Sequence, residues 1–177
     1  MKRLLNDIKE MAKHRLYYGS LALSLSAIDI CSKIEYPNMK EIRINGNKYN
    51  SFKKWIDTYF IPITERRIDH AILNSTDIYS LRCKILHEGT LNIKNPDLTR
   101  IIFSTGGSHR NKLIVNNNQI SITEIQLNPL LFVEEIVICI EKWISNKQPE
   151  ETMLDFNITD TFSSLNLNGL QAVLNCK

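Results

Sequence analysis

The chain has 177 residues, 43% of them apolar and 23% charged, with a formal net charge of +3. That is the composition of an ordinary soluble globular protein, long enough for one domain around one core. The pI of 8.6 is too mild to announce a dedicated duplex-binding surface, and the lysines and arginines are scattered along the chain rather than massed. No apolar stretch is long enough to span a bilayer, since Pro129–Ile144 is interrupted by Glu134, Glu135, Glu141 and Lys142. Leu4-Leu5 is followed at once by Asn6, Asp7, Lys9 and Glu10, so no secretory signal is expected. Four widely spaced cysteines, Cys31, Cys83, Cys139 and Cys176, then read as reduced thiols in a cytoplasmic protein.

In chain order, residues 3–35 read as helical throughout, with a break near Tyr17-Tyr18-Gly19. Small residues (Gly19, Ala22, Ser26, Ala27) recur at helical spacing in the second half, a pattern that admits a close neighbouring helix. Asp29 lies on this largely apolar helix, either paired with a cation or on the surface. Pro37–Asn50 is polar, and RINGNKYN predicts a short Asn-Gly hairpin. Phe52–Phe60 resumes a helical period with Phe52, Trp55, Ile56 and Tyr59 on one side, and Thr64 is expected to cap a short helix through Leu73. Asn74–Asp77 is a strong helix start, and Gly89 is expected to end that helix.

The character then changes. Arg100–Ser104, Lys112–Val115 and Gln119–Ile125 are short β-branched runs separated by Gly106-Gly107 and Asn116–Asn118, which predicts a small antiparallel meander. Asn128-Pro129 opens the clearest helix, with Leu130, Val133, Val137, Ile140 and Ile144 on its core face and Trp143, Asn146 and Pro149 at its end. The expected organisation is a mainly α domain over residues 1–149, including the meander at about 99–126, and a tail, 150–177, of no readable structure. No internal repeat is present.

The chemistry concentrates on the helix that begins after Asn74. Ile78, Leu81 and Ile85 form its core face, while Arg82 and His87 straddle the strip of Tyr79, Cys83 and Leu86. On an ideal α-helix the two lie about 140° apart in rotation and about 7.5 Å apart along the axis. Guanidinium grips phosphate oxygens through paired N–H donors, and imidazole moves a proton near neutrality. Together they could serve a metal-free attack of a ribose 2′-hydroxyl on its phosphodiester, with His87 as base or acid and Arg82 stabilising the phosphorane. The negative end of the helix favours a protonated imidazole, which suits the acid better than the base. With eight arginines and four histidines in the chain, an Arg-x(4–6)-His match arises by chance about half the time, so the spacing alone says little.

The flanking residues say more. Tyr79 to Gly89, YSLRCKILHEG, resembles the signature helix of HEPN domains, in particular bacterial members reading Tyr-x-Leu-Arg-Cys-x-x-Leu-His-x-Gly. The resemblance is sharp over about a dozen residues; elsewhere the Asp29 helix, the Phe52/Trp55/Tyr59 helix, the strands and the closing helix are compatible with it. It implies an up-and-down helical bundle, here with the antiparallel β meander inserted before the last long helix. It also implies a homodimer formed along the motif helices, with two Arg/His pairs facing one cleft. Many such domains are metal-independent endoribonucleases of toxin–antitoxin, abortive-infection or CRISPR systems that leave 2′,3′-cyclic phosphate ends. Carried over, the resemblance makes Arg82 and His87 the catalytic pair, Asp29 the acid that orients Arg82, and Tyr79, Cys83 and Glu88 supporting members of the block. The chain departs from the ribonuclease pattern at Cys83, where Asn, Asp or His is usual. That departure keeps a second reading open, a non-catalytic module binding nucleotide, RNA or a partner protein such as an antitoxin. A third is a helical accessory domain in which Arg82 and His87 are structural.

Other candidates are weaker. Cys83 and His87 stand at i and i+4, able to hold one edge of a zinc site, but Cys31, His70, His109 or Cys139 would have to converge on them. Neither a metal nor a cofactor is therefore expected. The Gly106–Arg110 turn reads as a tight polar turn, and His14 and His70 as surface residues. Tyr17, Tyr18, Phe52, Trp55 and Tyr59 fit helix packing better than base stacking. No P-loop, Ser-His-Asp order or dinucleotide fingerprint is present.

Overall fold

The computed structural model describes residues 1–44, 46–64, 73–88, 100–106, 111–117, 120–148 and Thr152, with the side chains of 47, 100, 111–117 and 120–124 excepted. Among these the chain is mainly helical. The first two helices are α1 (Lys2–Lys13) and α2 (Tyr17–Glu35). A hairpin of β1 (Ile42–Ile44) and β2 (Asn47–Tyr49) follows. Then come α3 (Ser51–Trp55), a π turn (Ile56–Phe60) and α4 (Ile61–Thr64). The motif helix α5 (Ser75–Cys83) runs into a second π turn (Lys84–Glu88). Strands β3 (Arg100–Phe103), β4 (Asn111–Asn117) and β5 (Ile120–Leu127) precede α6 (Pro129–Ile144). No helix among the described residues is long and apolar enough to cross a membrane.

Helix α2 is the hub, packing against α1, α3, α5 and α6. Its buried face alternates small and large residues, with Ser20, Ser24, Ala27 and Ser32 beside Leu21, Leu25, Ile28 and Cys31. The serine hydroxyls turn back to carbonyls of their own helix, as Ser24 does to Leu21 at 2.9 Å, so burying them leaves no unpaired donor. The close-approach face is therefore real, but Ala22 and Ser26 from the expected set lie only half-buried on its flank.

The break between α1 and α2 falls at His14–Leu16, earlier than expected, and Tyr17-Tyr18-Gly19 forms the first turn of α2. Arg15 adopts φ 59°, its N–H bonds to Ala12 O at 2.9 Å, and the Leu16 N–H reaches back to Met11 O at 2.9 Å. This is a Schellman ending with arginine in the position glycine usually takes, which is why the sequence hides it.

The core joins Ile8, Leu25, Ile28, Trp55, Phe60, Ile78, Leu81, Phe132, Ile136 and Trp143 in one cluster. A polar hub sits at its edge. Glu35 accepts from Tyr59 Oη at 2.8 Å and from Trp143 Nε1 at 2.9 Å, and pairs with Lys147 at 2.7 Å. Those bonds tie the end of α2 to α6 and to the first π turn. That turn precedes Pro62, whose missing N–H denies the α repeat a bond at this point. Thr64 is the last residue of α4, and its hydroxyl donates back to Phe60 O and Ile61 O. The helix expected to follow it lies outside the described residues, as do Gly89, the Gly107–Arg110 part of the turn, and the tail apart from Thr152.

Strands occur where expected, but they do not form a meander. The sheet order is β3-β5-β4, with β4 antiparallel and β3 parallel to β5. The register sets Ile101 against Ile125 and Phe103 against Leu127, and places these apolar pairs on the core beside Phe132. Three short β-branched runs of similar character do not reveal which neighbours which. The hairpin of β1 and β2 forms as expected, with Gly46 at φ 79°. Helix α6 begins as read, Asn128 capping Leu130 N at 3.0 Å with Pro129 in the first turn.

Candidate functional site

The motif helix is held at its start by a reciprocal cap. The Asn74 side chain accepts from the N–H groups of Thr76 and Asp77, both at 2.9 Å, and Asp77 accepts from Asn74 N–H at 3.2 Å. Ile78, Leu81 and Ile85 are buried as the periodicity requires. Tyr79 packs edge-on against Phe52, ring centroids 5.7 Å apart. The helix therefore enters with its registration set from both ends of the core.

Beyond Cys83 the repeat widens. In a π turn the hydrogen bonds run from i to i+5, so residues five apart approach the same face. The 140° separation expected of an α-helix narrows, and Arg82 Nη1 lies 2.8 Å from His87 Nε2. Tyr18 closes the turn from α2, its hydroxyl donating to Ile85 O at 2.6 Å.

The other edge of the guanidinium is tied to α2. Arg82 Nη2 lies 2.8 Å from Asp29 Oδ2, with the arginine side chain 18% exposed and the aspartate 34%. Burial alone would pull the guanidinium down, but the Asp29 carboxylate and the adjacent Cys83 thiol outweigh it and hold Arg82 above its ordinary value. It is a permanent cation with one edge anchored. Its Nε is buried and makes no hydrogen bond to nitrogen or oxygen among the described residues. His87 is exposed at the mouth of the site.

The contact between Arg82 and His87 has a direction: arginine can only donate, so Nε2 is the accepting atom. An accepting ring nitrogen is the atom a general base would use.

The remaining sequence candidates separate. Tyr79 stands beside Cys83, and its phenol is pushed up by burial and by that thiol. Cys83 is half-buried next to the guanidinium. Glu88 is engaged by Lys84 through both carboxylate oxygens, on the exposed side, and reaches neither Arg82 nor His87. Cys31 and Cys139 are buried in the core away from Cys83, and no group of three or more metal-ligating side chains occurs among the described residues.

Two residues at this site have no signature in the sequence. Lys53 is 4% exposed, donates to Thr76 Oγ1 at 3.1 Å and lies 5.3 Å from the Tyr79 ring centre. Burial holds its ammonium below the ordinary value. Tyr18, read from sequence as a packing residue, is 46% exposed and buttresses the π turn instead. Only the fold brings either to the motif helix, because their partners lie 23 and 67 residues away. Compared with known proteins, the chain matches no family model, no curated protein and no solved structure.

Proposed function

We propose that this chain is a HEPN-like, metal-independent endoribonuclease in which Arg82 and His87 act on an RNA phosphodiester. The observation that carries the reading is the 2.8 Å contact between Arg82 Nη1 and His87 Nε2, with Asp29 holding the opposite edge of the guanidinium. A phosphate oxygen entering between them takes the Nη1 donor, and Nε2 is released with its lone pair free. His87 then removes the 2′-hydroxyl proton, the 2′-oxygen attacks phosphorus and the bond to the 5′-oxygen breaks. The products are a 2′,3′-cyclic phosphate and a 5′-hydroxyl, the leaving oxygen taking back a proton from the imidazolium. Arg82 stabilises the charge that develops on the equatorial oxygens.

The resemblance of the motif helix supplies the setting: an up-and-down bundle, a homodimer with the two pairs across one cleft, and bacterial defence or toxin–antitoxin stress response in the cytoplasm. A second reading, a module that binds nucleotide, RNA or a partner protein without cleaving, is favoured by Cys83 standing where ribonuclease members carry Asn, Asp or His. The test is RNA incubated in EDTA with the wild-type protein and with His87→Ala, the products analysed for 2′,3′-cyclic phosphate ends. Cleavage by the wild type alone supports the enzyme, cleavage by neither supports the binding module, and equal cleavage removes His87 from the mechanism.

A further inference from the structure

We propose that the groove between the start of α2, the end of β3 and the start of α6 is a nucleobase subsite serving the Arg82/His87 pair. It encloses about 340 Å³ and is lined by Tyr17, Tyr18, Leu21, Phe103, Thr105 and Pro129. That volume falls at the lower end of small-molecule pockets. Among the described residues its lining is aromatic at Tyr17, Tyr18 and Phe103 and aliphatic at Leu21 and Pro129, and includes no carboxylate. Such a lining suits an occupant with a flat apolar face.

The groove is joined to the candidate site through Tyr18. Its phenol is 46% exposed, yet its hydroxyl is fixed to Ile85 O at 2.6 Å, inside the π turn that carries His87. Ile85 lies three residues from Arg82, about 4.5 Å along a helix axis. A ring tied down at its tip is a preorganised stacking platform, because little rotamer freedom is lost when a base settles on it. A nucleotide offers both a π face to this platform and an anion to the neighbouring guanidinium. The anion half of that argument rests on the phosphate reading of Arg82 and His87; the aromatic half stands on the groove itself.

The test measures binding of adenosine, adenosine 3′-monophosphate and inorganic phosphate by calorimetry to the wild type, Tyr18→Leu, Tyr18→Phe, Tyr17→Leu and Arg82→Ala. Tyr18→Leu should weaken adenosine and the monophosphate about tenfold, within the range for loss of one stacking ring, and leave inorganic phosphate unchanged. Tyr18→Phe keeps the ring but frees its tip, and should weaken both adenosine ligands by about two- to threefold, clearly less than Tyr18→Leu. If Tyr18→Leu does not fold, Tyr17→Leu should show the same selective loss. Wild-type adenosine affinity in both leucine variants overturns the subsite, as does equal weakening by Tyr18→Leu and Tyr18→Phe, which would assign the effect to the hydroxyl. Arg82→Ala separates the two readings: unchanged phosphate binding alongside a Tyr18-dependent adenosine loss sinks the phosphate reading and leaves the groove. Lost phosphate binding with adenosine indifferent to Tyr17 and Tyr18 does the reverse.

Discussion

Removing the Asp29 carboxylate is the most informative perturbation of the site. The pair spans 2.8 Å, with the arginine 18% and the aspartate 34% exposed, so it lies between a surface ion pair and a buried one. Exposed pairs contribute about 0.2–1 kcal/mol, and stripping a partner from a buried pair costs about 3–5 kcal/mol. Asp29→Ala should accordingly cost about 2 kcal/mol, which in a chain of this size lowers Tm by about 4–8 °C. Part of that loss is the guanidinium left half-buried with its Nε already without a nitrogen or oxygen partner among the described residues. Thermal unfolding of Asp29→Ala, Arg82→Ala and the double variant isolates the pairwise part, expected at about 1 kcal/mol of coupling. In the RNA assay, Asp29→Ala should lower kcat about tenfold through a misplaced guanidinium, and Asp29→Asn, which keeps an acceptor oxygen, by less. Coupling within about 0.3 kcal/mol of zero would refute the argument that Asp29 positions Arg82.

Three further outcomes are expected. Burial would raise the Glu35 carboxyl, but the bonds from Lys147, Trp143 and Tyr59 outweigh it and hold it below 4.5. Its stabilisation is therefore complete above that pH and disappears as pH falls through the lower folded value; Glu35→Gln should flatten the stability curve there, and an unchanged acid limb in denaturant titrations would contradict this. Arg15→Gly relieves a left-handed residue at φ 59° and should raise stability by about 0.5–1 kcal/mol, with a loss of stability in chemical denaturation counting against the Schellman ending. Lys53→Met removes a desolvated ammonium and should stabilise the protein at neutral pH by about 1 kcal/mol. Because the folded value lies below the ordinary 10.5, the advantage should shrink as pH rises through that window; a destabilised variant would show that the Thr76 bond outweighs desolvation.

The features legible in the amino-acid order are local. The Asn74/Asp77 cap, the Asn128-Pro129 start of α6, the Gly46 hairpin and the Ile78/Leu81/Ile85 core face each depend on residues within one or two turns of each other. Backbone hydrogen bonding and side-chain periodicity specify such features without reference to the rest of the chain. Features that depend on distant partners were set by the packing of the whole fold. It placed β3 beside β5 rather than β4, setting Ile101 against Ile125 and Phe103 against Leu127. It ended α1 on a left-handed arginine, where a sequence reader looks for glycine. At the candidate site the residue types Arg82 and His87 were legible, but their meeting was not. An α-helical repeat sets them on different sides, and a π turn buttressed by Tyr18 from α2 brings them within hydrogen-bonding distance while Asp29, 53 residues away, anchors the arginine. A one-residue change in helical repeat leaves almost no trace in composition or periodicity, yet it accompanies the contact between guanidinium and imidazole.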